Sequence, residues 1–116
     1  MAPRFAGPLL IASLLVGLLV TATGATTTKE LRVKGKALLE EKCGRCHAIG
    51  ATGESPLHEA PPMRTIYARF SPRELQAELR QGMVSRHRAM PQIEFSDEET
   101  DAILAYLYAL AIRNRH

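Results

Sequence analysis

Two cysteines and a histidine fall within five residues, Cys43-Gly44-Arg45-Cys46-His47, and the chain has no other cysteine. Thiols three residues apart sit about one helical turn from each other, on one face. Each can form a thioether with a vinyl group of one flat macrocycle. The histidine beside the second thiol then lies under the metal that the macrocycle holds. This is the pattern of a c-type haem attachment site. Three other uses of these residues fit less well. Structural zinc takes four ligands, and His58, His87 and His116 are widely scattered. A thioredoxin-like pair follows a strand in a βαβ unit, whereas the residues before Cys43 have helical spacing. A plain disulfide leaves His47 without a task.

An electron-transfer haem takes a second axial ligand, and a thioether opposite histidine raises its reduction potential. Met90 lies in a stretch without helical periodicity, where a side chain can be aimed independently of a helix face, and Pro91 stiffens the backbone just after it. The expected iron ligands are therefore His47 and Met90. Met63, Met83 and His87 are the rivals, and an open sixth position is a further alternative. Met63 and Met83 also suit the apolar wall of a haem pocket.

The elements that must position these residues are legible around them. Thr27 and Glu30 have the spacing of a capping box, opening a helix that runs to about His47. Leu31, Leu38, Leu39 and Cys43 form its apolar stripe. Gly35 costs such a helix about 1 kcal/mol, so its presence implies that another helix crosses closely there. From Ala48 to Pro62 periodicity gives way to Gly50, Gly53, Pro56, Pro61 and Pro62, an ordered loop. A short helix is expected over Met63 to Phe70. Ser71-Pro72-Arg73-Glu74 then carries an N-cap, a proline at N1 and an acid at N3. That helix buries Leu75 and Leu79 and stops at Gly82. Met83 to Phe95 forms a second loop. Ser96 to Glu99 repeats the capping box, with acids at the positive helix end. The last helix places Ile103, Leu104, Leu107, Leu110 and Ala111 on one face with Tyr106 beside it. No strand pattern is present, so the expected class is all-α.

The start of the chain reads differently. Met1 to Arg4 is short and basic, Leu9 to Val20 is apolar and uncharged, and Thr21 to Thr28 is made of small residues, the layout of a secretory signal. Residues 1–25 are expected to be removed, leaving 26–116 as one domain. An uncleaved anchor is the alternative, although Pro8 interrupts the apolar stretch and spanning takes about 20 residues. A domain of about 90 residues makes a thin core of its own, which a large apolar cofactor would complete. The full chain carries a net charge of +3, falling by one with Arg4. That mild excess, without interleaved aromatics, argues against nucleic acid as a partner. Arg64, Arg69, Arg73, Arg80, Arg86 and Arg88 all lie between the cysteine motif and the last helix, while acids gather from Glu94 to Asp101.

A Cys-x-x-Cys-His motif after a first helix, with Met-Pro before a last helix containing Ala105-Tyr106-Leu107, resembles the small bacterial class I cytochromes c. The resemblance spans residues 28 to 111. It implies three or four helices wrapped around one covalent haem c, the first and last crossing, with Gly35 and Leu39 against Tyr106 and Leu107. It further implies that a loop proline carbonyl accepts a hydrogen bond from the proximal histidine. Pro61 is the best match, with Pro62 and Pro56 as alternatives. The tryptophan that holds a haem propionate in some relatives has no counterpart here, and Arg64 or another loop arginine takes that place by bidentate pairing. The resemblance also implies export, with haem attached outside the bacterial inner membrane.

The reading that follows is a periplasmic one-electron carrier rather than an enzyme. Its partners would be a donor and an acceptor with acidic patches facing the loop arginines, with a membrane involved only if the leader persists. A haem subunit of a periplasmic dehydrogenase or oxidase is the alternative. A haem enzyme or gas sensor with a labile sixth position, using His87 or Arg88, is the weaker one.

Overall fold

The structure, a computed structural model, describes residues 1–4, 24–83 and 89–115. The apolar run of the leader, Arg86, His87, Arg88 and His116 lie outside the described residues. Among the described residues there are four helices and no strand: α1 (Thr28–Cys43), α2 (Met63–Ile66), α3 (Pro72–Arg80) and α4 (Asp97–Arg113). None is long and apolar enough to cross a membrane.

The three long helices share one start device. Thr27, Ser71 and Ser96 each accept a hydrogen bond from the backbone N–H three residues on, and Glu30, Glu74 and Glu99 reach back to the N-cap N–H. Two otherwise orphaned donors are satisfied at each helix end. α1 ends as a helix at Cys43, earlier than the expected His47. Its last carbonyl nonetheless continues the turn, accepting from the N–H of Cys46 at 3.1 Å and of His47 at 3.0 Å. α2 is likewise shorter than its expected Met63 to Phe70 range. Its residues sit under Pro62, which stands at its N-cap without a side-chain bond.

α1 and α4 form the main helix pair. Gly35 and Leu39 are the buried residues of α1, set against an α4 face of Thr100, Ala102, Ile103, Tyr106, Leu107 and Leu110. A Cβ placed on Gly35 would overlap the carbonyl of Ala102. The helices therefore meet backbone to backbone, which answers the cost of a glycine in mid-helix. Lys34 and Glu98 pair across the edge of this crossing at 2.5 Å. Arg80 at the end of α3 pairs with Asp97 at the start of α4 at 2.7 Å. Both pairs are solvent-exposed, so water screens them and each adds little to stability. The Tyr106 hydroxyl, buried, donates to the Ile49 carbonyl at 2.8 Å and fastens α4 to the loop that follows the cysteine motif.

The core joins Leu39, Ile49, Met63, Ile66, Leu75, Leu79, Phe95, Ile103, Tyr106, Leu107 and Leu110. The four helices and two loops arrange these residues around a hollow rather than closing upon it.

Candidate haem site

The hollow is a cavity of about 530 Å³, within the range usual for cofactor sites. Every element lines it. α1 contributes Leu39 and Cys43, the first loop His47 and Pro61, and α2 Met63 and Ile66. Arg69 and Phe70 follow α2. α3 adds Glu74, Leu75, Glu78 and Leu79, the second loop Met83, Met90, Pro91, Ile93 and Phe95, and α4 Ile103 and Leu107.

The turn after α1 controls three side chains at once. Because the Cys43 carbonyl receives the N–H groups of both Cys46 and His47, the chain curls tightly and presents both thiols and the imidazole on one short arc. Both cysteines are free thiols, each partly buried. Burial, with a smaller contribution from Cys46, pushes the Cys43 thiol up to about 11. It therefore remains S–H at neutral pH, a poor nucleophile and a poor metal thiolate. Of the two cysteines, Cys43 lines the cavity, and Cys46 follows it one turn on.

His47 is oriented by the first loop. Its Nδ1 donates to the Pro61 carbonyl at 2.7 Å. A carbonyl can only accept, so Nδ1 carries a proton, and in the neutral ring it is Nε2 that holds the lone pair for a metal. The loop is in turn held to the motif: the Met63 N–H donates to the Ala48 carbonyl at 2.9 Å and the Leu57 N–H to the Cys46 carbonyl at 3.1 Å. The Ala48 N–H donates to the Ser55 hydroxyl at 3.0 Å. Of the three prolines open at the sequence level, Pro61 is the one in contact with His47. Pro62 faces the other way, toward a second, smaller pocket of about 190 Å³.

The second loop begins with two left-handed residues, Gly82 at φ +82° and Met83 at φ +47°. Glycine takes this conformation freely, whereas Met83 bears roughly 1–2 kcal/mol for it. Met83, Met90 and Pro91 all line the cavity. The cavity thus holds three methionines, Met63, Met83 and Met90, of which Met63 is almost fully enclosed at 4% exposure.

Arg64 is placed apart from the other expected site residues. It lines the smaller pocket with Glu54, Ser55 and His58, while Arg69 lines the cavity. The reason is periodicity: Met63 and Ile66 turn inward on α2, which directs Arg64 outward, and Arg69 comes within reach only beyond the end of the helix. Arg69, Phe70, Glu74 and Glu78 were not apparent as cavity residues from the sequence. The signal available was the row Glu74/Glu78 running beside the buried row Leu75/Leu79 on α3.

The donor set, the orienting bond on His47 and the apolar lining fit one covalently held haem c. No match is found among curated proteins or among solved structures. The family model of cytochrome c oxidase, cbb3-type, subunit III matches residues 31–107, a range that takes in most of α1, the cysteine motif, both loops and most of α4. All-α, with two cysteines spaced for a single haem c, this electron-transfer chain is a c-type cytochrome and belongs to that family.

Proposed function

We propose that the chain is an exported one-electron carrier in which His47 and Met90 are the axial ligands. The observation that supports this most is the bond from His47 Nδ1 to the Pro61 carbonyl, inside a cavity that Cys43 and Met90 also line. Haem bound there supplies a one-electron Fe(III)/Fe(II) couple. Cys43 and Cys46 would fasten it through thioethers. His47 offers Nε2, made more basic by the bond at its other nitrogen. Met90 offers a thioether from a loop segment stiffened by Pro91. Arg69, on the cavity wall, is better placed than Arg64 to pair a propionate. Two fixed axial ligands limit reorganisation on electron transfer, a requirement of a carrier rather than of a catalyst.

The test is the optical spectrum of ferric and ferrous protein, with and without Met90→Ala. A low-spin ferric wild type with a weak red charge-transfer band, lost in the variant, is expected. A high-spin or carbon monoxide-binding wild type would instead point to an open iron and an enzyme or sensor. Periplasmic location rests on the leader at residues 1–25 and is tested by cell fractionation. Encounter with acidic partners through the loop arginines predicts that electron-transfer rates fall as salt rises.

A second reading is favoured by the family match: the domain serves as the haem subunit of a larger oxidase complex. Co-purification of oxidase subunits with the native protein would support it over a free carrier.

A further inference from the structure

Haem cavities are walled mainly by apolar side chains, because a low dielectric lets the axial ligands dominate the electronic properties of the iron. Here α3 departs from that rule. Of its nine residues, Leu75 and Leu79 face the cavity as expected, but Glu74 and Glu78 line it as well. The two carboxylates differ in situation. Glu74 is exposed, and its Oε2 accepts from the Ser71 N–H at 2.8 Å, so it is engaged at the positive end of the helix. Glu78 is half-buried, one turn further along and away from the N-terminus, between the rows of Leu75 and Leu79. Among the described residues, the other full charge on the cavity wall is Arg69, which is exposed. α4 contributes only Ile103 and Leu107 to the wall.

We propose that Glu78 is a potential-setting residue: its carboxylate, facing the cavity, holds the reduction potential of the bound haem below the value its axial ligands alone would give. This rests on haem occupying the cavity as read above. The sign follows from charge. The ferric centre carries one more positive charge than the ferrous one, so a nearby carboxylate stabilises the oxidised form more. Bound haem would cover the side of Glu78 that faces the hollow, removing water that otherwise screens the interaction. Glu74 acts in the same direction but less strongly, since water and the α3 N-terminus both share its charge. Glu78 touches neither the thioether motif nor the segment around Met90 in sequence, so its effect is separable from ligation.

The test is a spectroscopic redox titration of the haem-loaded full chain and four variants. Glu78→Gln preserves shape and is expected to shift the midpoint to a more positive potential. Glu78→Lys reverses the charge and is expected to shift it further the same way. Glu74→Gln keeps the capping geometry, since glutamine also serves at N3, and is expected to give a smaller positive shift. Glu54→Gln, on the separate small pocket, is expected to leave the potential unchanged. Wild-type potential in both Glu78 variants, or a negative shift, overturns the proposal. So does an equal shift in Glu54→Gln, which would indicate only an overall charge effect. A high-spin ferric spectrum in the wild type would count against the His47/Met90 assignment while leaving the comparison of potentials intact.

Discussion

The α1–α4 crossing and the haem cavity are built on opposite plans. At the crossing, Gly35 brings two backbones together, and Leu39, Ile103, Leu107 and Leu110 are each at most 2% exposed. Leu39, Ile103 and Leu107 also reach the cavity wall, so crossing and cavity share an edge. Beyond that edge, the cavity is walled by loops, by three methionines and by a carboxylate row. Its residues have inward faces but no protein partner across the hollow. The first region is stabilised by its own packing, while the second depends on a cofactor to supply the missing apolar body. One half of the molecule is a clamp and the other is a mould.

The largest test of this contrast is removal of the haem. Protein lacking both thioether cysteines (Cys43→Ser with Cys46→Ser) is expected to keep helix signal by far-ultraviolet circular dichroism but lose a cooperative thermal transition. A sharp transition in haem-free protein would show that the mould closes by itself. Next comes Gly35→Ala. A methyl group would meet the Ala102 carbonyl, and overpacking against rigid backbone should cost about 3 kcal/mol. That is a fall in the thermal midpoint of roughly 10 °C or more in a domain of this size, measured on the haem-loaded protein. Tyr106→Phe removes the donor to the buried Ile49 carbonyl and should cost about 1–2 kcal/mol. Because that bond links clamp to mould, hydrogen exchange should rise first in the loop after His47. Glu74→Gln is the mildest. The hydroxyl and N–H of Ser71 hold the Glu74 carboxyl below its ordinary range, so its stabilising effect is present above the unfolded value and fades as pH falls through the folded one. Denaturation followed across the acid range should therefore be less pH-dependent in the variant.

The clamp was the more legible half. The capping boxes of α1 and α4, a mid-helix glycine and the burial of Ile103, Leu107 and Leu110 on the last helix are local signals, and each reappears in the structure. The cavity was legible only where covalent chemistry or a proline forces a residue's position, at Cys43, His47 and Pro61. The remainder depends on which side of a short helix faces inward. The sequence favours Arg64 over the other loop arginines, whereas the inward turn of Met63 and Ile66 leaves Arg69 as the one on the cavity wall. Glu78 reads as an ordinary solvated helix position until the hollow beside it is known. The early end of α1 at Cys43 was also illegible, since the turn through Cys46 and His47 keeps helix-like bonds to the Cys43 carbonyl without remaining a helix.

The crossing also bears on the order of events during folding. Lys34 and Glu98, which face each other across it, are 64 residues apart, and Tyr106 and Ile49 are 57 apart. Such contacts form late, because the intervening chain must first be closed into a loop. A chain delivered from its N-terminus therefore presents Cys43 and Cys46 well before α4 is available to dock. During that interval the thiols stand on an isolated helix end with nothing packed over them. Nucleation is slow by topology, and that slowness opens a time window in which attachment can precede collapse.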